Sequence, residues 1–402
     1  MDLAPHYSRF RVTERYLLTG HSHQAWPDVA FEAQQQAWLD AASFVDRKWA
    51  TAEEVAEQVR AGFRRLLNDP DGDLALGQNT HELIVRWLSA ILPMFGAAPT
   101  GDRYRSTILT TDGEFHTIRR QLDRLREAGV DVQKIEARPV DTLAERLASR
   151  IDVRTAAVLV SSVLFETAEI VPNLAALASR CDAEGVPLLV DAYHHLNVVP
   201  FDLQGLQLDR AFIVGGGYKY CQLGEGNCFL RVPPECDLRP ILTGWFSEFG
   251  ELAAVRRPGD LAYGAGAARF AGATYDPTSH YRAAAVFAFH VDHALTPNAL
   301  RAISQRQTTH VTNLFRALDL DPHVAALIDI PSETRAGFVA IRTPHAAQLV
   351  ATLAARDVFV DARGETLRLG PAPYLSDRQL SDAIAIVGDA CRVRAGTRPS
   401  AS

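Results

Sequence analysis

Short apolar runs alternate with longer amphipathic ones along much of the chain. Ile-Leu-Thr-Thr at 108–111 predicts a strand, and residues 114–129 carry Phe115, Ile118, Leu122 and Leu125 at helical spacing. VQKI, a helix over 141–149, the strand AAVLV at 156–160 and a helix over 172–184 continue the alternation. The nearly all-apolar PLLVDA at 187–192 and AFIVGGG at 211–217 predict strands covered on both faces, which is the habit of a mainly parallel sheet. Ahead of these, the first 50 residues are irregular around GHSHQAWPD and then helical. Thr51-Ala-Glu-Glu54 reads as a capping box opening a helix to about Leu67, which the turn NDPDGD stops.

From 231 to 280 prolines and glycines break the pattern over a stretch too long for an ordinary connection, so a site-forming loop is expected there. Helices at 280–294 and 297–319 follow, then VAALIDI, GFVAIRT, a helix at 345–356, VFVDAR, TLRLG and a last helix near 377–390. This is an α+β unit with its own core. No internal repeat is visible.

The length of 402 residues accommodates one large core and a smaller one beside it, and 47% hydrophobic residues describe an ordinary globular chain. Forty-one Lys and Arg against 48 Asp and Glu give a net charge of −7 without a basic run, which argues against nucleic acid as a partner. Cys181, Cys221, Cys228, Cys236 and Cys391 are odd in number and widely spread, as in a reducing compartment. The N-terminus lacks the basic head and apolar stretch of a signal peptide, and no run is long enough to span a bilayer, so a soluble cytoplasmic protein is expected, with no membrane partner. Thirteen histidines raise a zinc site, but His21 with His23 and His194 with His195 lack HExxH spacing and no Cys pair completes one; no metal is expected.

The chemistry concentrates in 187–230. Asp191 stands at the carboxyl end of an apolar strand, the edge where open α/β sheets place ligands. Lys219 follows a second apolar run and three glycines, so a flexible turn would deliver its amine to the same edge. A carboxylate facing an amine there suits pyridoxal 5′-phosphate, the acid keeping the pyridine nitrogen protonated and the lysine forming the Schiff base. A structural ion pair at a sheet edge fits the same two residues equally well. Asn79-Thr80 would open a helix whose first amides face an anion, with Thr80 alternatively only an N-cap. Arg368 in TLRLG offers a guanidinium for a carboxylate, or simply a surface cation on an alternating strand.

GHSHQAWP, DAYHHLNVVPFDL, YKYCQLGEG and DARGETLRLGPAPYLSDRQL together resemble the fold-type-I pyridoxal-phosphate enzymes of the class V aminotransferase group, and within it kynureninase most of all. The resemblance implies an α/β fold with a mainly parallel seven-stranded sheet in a large cofactor domain and a smaller α+β domain. It divides the chain into an N-terminal segment (1–50) on the small domain and the site mouth, a large domain (51–265) and a small domain (266–402). It makes Lys219 the Schiff-base lysine, Asp191 the pyridine-nitrogen partner, His194 a cofactor neighbour and Phe115 the stacking aromatic. Tyr218 would approach the phosphate and assist proton transfer, and Asn79, Thr80 and His81 would also hold the phosphate. It further implies that Trp245 lies on the phosphate side, that Thr274 belongs to a segment lent across a homodimer interface, and that Arg368 binds the substrate carboxylate.

The implied reaction is hydrolytic Cβ–Cγ cleavage of an arylcarbonyl-alanine such as L-kynurenine, giving alanine and an aromatic acid. The alternatives are a class V aminotransferase or β-eliminating lyase acting on another amino acid and, more remotely, a non-catalytic structural or regulatory homologue. Departures from kynureninase cluster around the substrate side chain. Gly217 stands where Ser is usual, Ser-Glu rather than Gly-His follows Trp245-Phe246, GATYDPT replaces the usual substrate wall, and VLFET replaces a Tyr-Arg-Thr-Gly stretch.

Overall fold

The computed structural model describes residues 2–92, 105–251 and 259–396. Its main sheet has seven strands, β1 (Asp73–Gly77), β2 (Thr107–Thr111), β3 (Asp131–Ile135), β4 (Thr155–Ser161), β5 (Leu188–Asp191), β6 (Phe212–Gly216) and β7 (Cys228–Val232), in the order β1-β7-β6-β5-β4-β2-β3. All pairings are parallel except those of β7, which runs antiparallel to both neighbours.

The continuous apolar runs follow from burial on both faces. Leu188 and Val190 of β5 join Val158, Val160 and Ile213 in a core closed by Val59 and Phe63 from helix Lys48–Leu67, Leu143 and Leu147 from helix Leu143–Arg150, and Leu177 from helix Leu174–Ala183. Leu189 points the other way, with Leu159 and Val214, against Ile84 and Trp87 of helix Thr80–Ile91 and Ile118 and Leu122 of helix His116–Glu127. Each of these side chains is worth about 1.5–3 kcal/mol when taken out of water, so a polar residue at any of them would be strongly selected against by the fold.

A second sheet, β8 (Ala326–Leu327), β9 (Val339–Arg342), β10 (Asp361–Arg363) and β11 (Thr366–Leu369), is antiparallel in the order β10-β11-β9-β8. Leu3, Tyr7, Val12 and Leu18 from the N-terminal segment share its core with Val311, Phe315, Ile341, Leu367 and Ile384. Tyr16–Leu17 also pairs in parallel with Val358–Phe359. Helix Thr278–Asp292 ties the two cores together, giving Val286 and Phe287 to one and Phe289 to the other.

Three local expectations are corrected. The helix expected to open on a capping box at Thr51 begins at Lys48, with no side-chain cap, because it continues directly from the turn Val45–Arg47; Thr51 to Glu54 lie inside it. The helix expected from 114 begins at His116, with Phe115 in extended backbone as its N-cap, which turns that ring away from the helix face formed by Ile118 and Leu122. The glycines before Lys219 form no flexible turn. Gly215 and Gly216 belong to buried β6, and a Cβ at Gly216 would lie 2.6 Å from Cys228 Sγ and from the Tyr193 ring. Lack of a side chain there serves close packing. Of the long loop expected over 231–280, residues 252–258 lie outside the described residues; the remainder includes the 3₁₀ turns Trp245–Glu251 and Gly266–Phe270. Among the described residues no helix is long and apolar enough to cross a membrane.

Candidate functional site

The carboxyl ends of the central strands converge. Ser161 ends β4, Asp191 lies beside it at the end of β5, and Lys219 follows β6 by three residues. Antiparallel β7 brings a further element to this edge, because Cys228 at its start pairs with both Gly216 and Gly77. Gly77 leads directly into Gln78-Asn79 and the start of helix Thr80–Ile91. The result is a cavity of about 390 Å³, a size suited to a small-molecule ligand, lined by Asn79, Thr80, His81, Phe115, Asp191, His194, Tyr218 and Lys219 among others. Trp245, Thr274 and Arg368 do not line it.

At its floor Lys219 Nζ lies 2.6 Å from His194 Nε2, 4.7 Å from the Phe115 ring centre and 4.6 Å from that of Tyr193. Burial pulls the Lys219 amine down to about 7, helped by the nearby Arg368 and Arg363 charges and opposed by Asp191. Burial likewise pushes Asp191 up, while the backbone N–H of Tyr193, donating at 2.8 Å, and the charge of Lys219 restrain it. His194 is driven well below its ordinary value by burial and then by Lys219, so it is neutral. Lys219 donates to its Nε2, which puts the imidazole proton on Nδ1, and that atom is buried without a partner. The Tyr218 hydroxyl, pushed up to about 12 by burial, stays protonated and remains a donor.

At the other end of the cavity Asn79 is the N-cap, its Oδ1 accepting from the Glu82 amide at 2.9 Å, and Thr80 is the first helical residue. The first-turn amides of Thr80 and His81 therefore have no carbonyl within their own helix. Trp245 donates to Thr274 Oγ1 at 3.3 Å, on a half-exposed surface shared with Phe246 and Phe249.

Arg368 is 1% exposed, and protein atoms engage all three of its nitrogens. Nε and Nη2 donate to the two oxygens of Asp361, Nε at 2.8 Å, and Nη1 donates to the carbonyl of Phe165. Buried His21 donates from Nε2 to Asp361 at 2.7 Å and is kept neutral, near 4, chiefly by burial. Burial alone would raise Asp361, yet His21 and Arg368 hold it well below the usual carboxylate range.

Several site groups escaped the sequence reading. Tyr193, between Asp191 and His194, is the second aromatic over Lys219. Glu114 is buried, accepting from Thr111 Oγ1 at 2.7 Å and from Ser161 Oγ at 2.6 Å; burial raises it to about 7 against these bonds. Its position in GEFHT, just past a strand's carboxyl end, was the available signal. Asp361 sits in DARGETLRLG without any local pattern to mark it. Cys228 lines the cavity, but burial raises its thiol to about 12, so it offers no thiolate. No group of three or more His, Cys, Asp or Glu among the described residues is arranged to hold a metal ion.

Comparison with known proteins places this geometry among relatives. Residues 300–387 match the family described as the kynureninase C-terminal domain. Over 359 residues, 87% of each chain, the sequence is 24% identical to a protein of Bacillus subtilis (strain 168) named uncharacterized aminotransferase YcbU. Among solved structures, a variant of C-DES with glycine covalently linked to the PLP cofactor superposes with a TM-score of 0.78 at 18% identity, covering 96% of this chain and 98% of that one. The cysteine desulfurase of Thermococcus onnurineus NA1 gives 0.77 at 16%, covering 95% and 96%. The cysteine desulfurase CsdA of Escherichia coli gives 0.77 at 17%, covering 97% and 98%. The chain thus has the α/β fold of these proteins, with its mostly parallel seven-stranded sheet.

Proposed function

We propose that this chain is a pyridoxal 5′-phosphate enzyme of the class V aminotransferase kind, acting on an amino acid, and that its reaction is kynureninase-like hydrolysis of an arylcarbonyl-alanine. The observation that carries the cofactor is the buried pair at the cavity floor, a lysine amine brought to about 7 beside a buried carboxyl group. The unpartnered His194 Nδ1 and the helix start at Thr80 and His81, residues that all line the cavity, fit the same group. An ion pair serving stability alone would not require a cavity of this size above it.

When bound, the cofactor supplies an electron sink for charge developing at the substrate Cα. The protein's own groups do the rest. Lys219 would hold the cofactor and carry protons, its amine being substantially neutral near pH 7. Asp191 supplies negative charge where a protonated ring nitrogen would lie, while Phe115 and Tyr193 flank the lysine. His194 accepts a hydrogen bond from Lys219 and, being neutral, does not repel a cation there. Tyr218 provides a hydroxyl proton at the cavity wall.

The match to the kynureninase C-terminal domain supports hydrolysis. The protein loaded with pyridoxal 5′-phosphate is expected to convert L-kynurenine or 3-hydroxykynurenine into alanine and an anthranilate-type acid, read by mass spectrometry. Absence of both products overturns the hydrolase. A requirement for an amine acceptor, with stoichiometric pyridoxamine phosphate, would indicate the transamination that the likeness to YcbU supports. Pyruvate and ammonia without an acceptor would indicate elimination.

A homodimer belongs to the same proposal. Trp245, Phe249 and Leu261 expose apolar surface in the loop region next to Thr274, where a second copy would bury it. Sedimentation of the loaded protein is expected to give twice the 44.1 kDa chain mass, and a monomer at micromolar concentration would refute it.

A further inference from the structure

Glu114 takes no part in the chemistry proposed for the cavity, yet three donors converge on its buried carboxyl group. Thr111 Oγ1 at 2.7 Å and the Ser161 backbone N–H at 3.2 Å donate to Oε1, and Ser161 Oγ at 2.6 Å donates to Oε2. Thr111 is the last residue of β2 and Ser161 the last of β4, so Glu114 bolts two strand ends together. Ser161 is in register with Asp191 on β5 and lines the cavity, whereas Glu114 itself does not.

The proton positions follow from the partners. Thr111 Oγ1 accepts from the Gly113 amide at 3.2 Å, so its own proton goes to Glu114. Two donors then fill Oε1, and Oε2 is left for the Ser161 hydroxyl. Glu114 ionises above about 7, and a carboxylate can only accept. Ser161 therefore gives it its proton. A hydroxyl that could otherwise serve a ligand as donor or acceptor keeps only its lone pairs for the cavity.

We propose that Glu114 is a positioning residue that fixes Ser161 as an acceptor toward the cavity, selecting a ligand that brings an N–H or O–H donor to the strand ends beside Asp191. The proposal rests on the reading of the cavity as the pyridoxal 5′-phosphate site. Glu114→Gln reverses the arrangement without removing a bond. The amide oxygen takes the place of Oε1, where two donors require an acceptor, and the amide nitrogen takes that of Oε2 and donates to Ser161. The Ser161 proton is then turned into the cavity, against the ligand's donor.

The test titrates 4′-deoxypyridoxine 5′-phosphate into cofactor-free protein at about pH 8, where Glu114 is ionised and Lys219 largely neutral. This probe carries the protonatable ring and the phosphate but no aldehyde, so it forms no bond to Lys219 and its affinity reports the cavity wall. Glu114→Gln is expected to weaken binding about tenfold or more, and to have no effect in a Ser161→Ala background. Glu114→Asp keeps the charge but withdraws from Ser161, and is expected to weaken binding less than Glu114→Gln because the hydroxyl is released rather than reversed. Unchanged affinity in Glu114→Gln, or a loss that persists in the Ser161→Ala background, overturns the proposal. A thermal midpoint lowered equally in both backgrounds with affinity unchanged makes Glu114 a brace only. Near-ultraviolet circular dichroism reports that each variant is folded. Should Glu114→Gln fail there, a loss in Glu114→Asp that vanishes with Ser161→Ala upholds the proposal, and one that persists overturns it. Failure of the wild type to bind either the probe or pyridoxal 5′-phosphate overturns the cofactor reading, and the proposal falls with it.

Discussion

Lys219→Ala is expected to abolish borohydride-fixed cofactor and to lower turnover by about 10³-fold or more, equivalent to about 4 kcal/mol of transition-state stabilisation. The amine is the nucleophile and the proton carrier, and among the described residues no other lysine lines the cavity. The wild-type pH profile carries the sharper signature. Burial brings Lys219 from 10.5 to about 7, so about half of it is neutral near pH 7, against roughly 3 in 10⁴ for an unperturbed lysine. Adduct formation by cofactor-free protein is therefore expected to rise with pH through about 7 and level off above it. A midpoint near 10 would show that the amine is not desolvated, and the proposed nucleophile would fail. The same depression links to stability. Between about pH 7 and 10.5 the unfolded chain holds the proton that the folded chain has released, so this group's contribution becomes more favourable as pH rises across that window and is least favourable below it.

Asp191→Asn is expected to lower turnover by about 10²-fold or more, near 2.7 kcal/mol, while still allowing the adduct at Lys219 to form. Asparagine retains an oxygen to accept from the Tyr193 amide, so the local turn is preserved. It removes the negative charge that raises Lys219. The midpoint of adduct formation should therefore move to lower pH than in the wild type, whereas a merely structural role for Asp191 would leave it in place. Stopped-flow measurement of cofactor capture across pH, alongside steady-state turnover, separates the two effects. Unchanged midpoint and unchanged turnover together would remove Asp191 from the proposed chemistry.

Much of this site was legible because its residues stand next to strong local signals. Asp191 follows an apolar run long enough only for a strand, and a strand's carboxyl end is where such sheets open. Lys219 follows the next run in the same way. Phe115 was harder to assign, because its spacing to Ile118 and Leu122 suits a helix face; the helix instead starts one residue later, and the ring turns toward Lys219. Local sequence predicts a flexible turn at Gly215–Gly217, yet the absence of side chains there admits Cys228, Tyr193 and Leu223, whose approach comes from elsewhere in the chain. Glu114 illustrates the same limit. A charged residue after a strand reads as solvated until Ser161, 47 positions away, is seen to hold it.

Periodicity thus determined most of the elements and the strand ends that carry Asp191 and Lys219, because these depend on neighbours within one or two turns of chain, whereas β1 and β7 carried no such signal. The partners of charged groups were decided only by the tertiary structure. Arg368 lies seven residues from Asp361 but 203 from Phe165, and its guanidinium is filled by both; Asp361 is shared with His21, 340 positions distant. Hydrogen bonding and desolvation depend on what surrounds a group in space, and the same arginine code can specify a ligand-binding fork or a buried brace. Sheet pairing across β10 and β11 sets Asp361 opposite Arg368, a proximity that no local pattern announces.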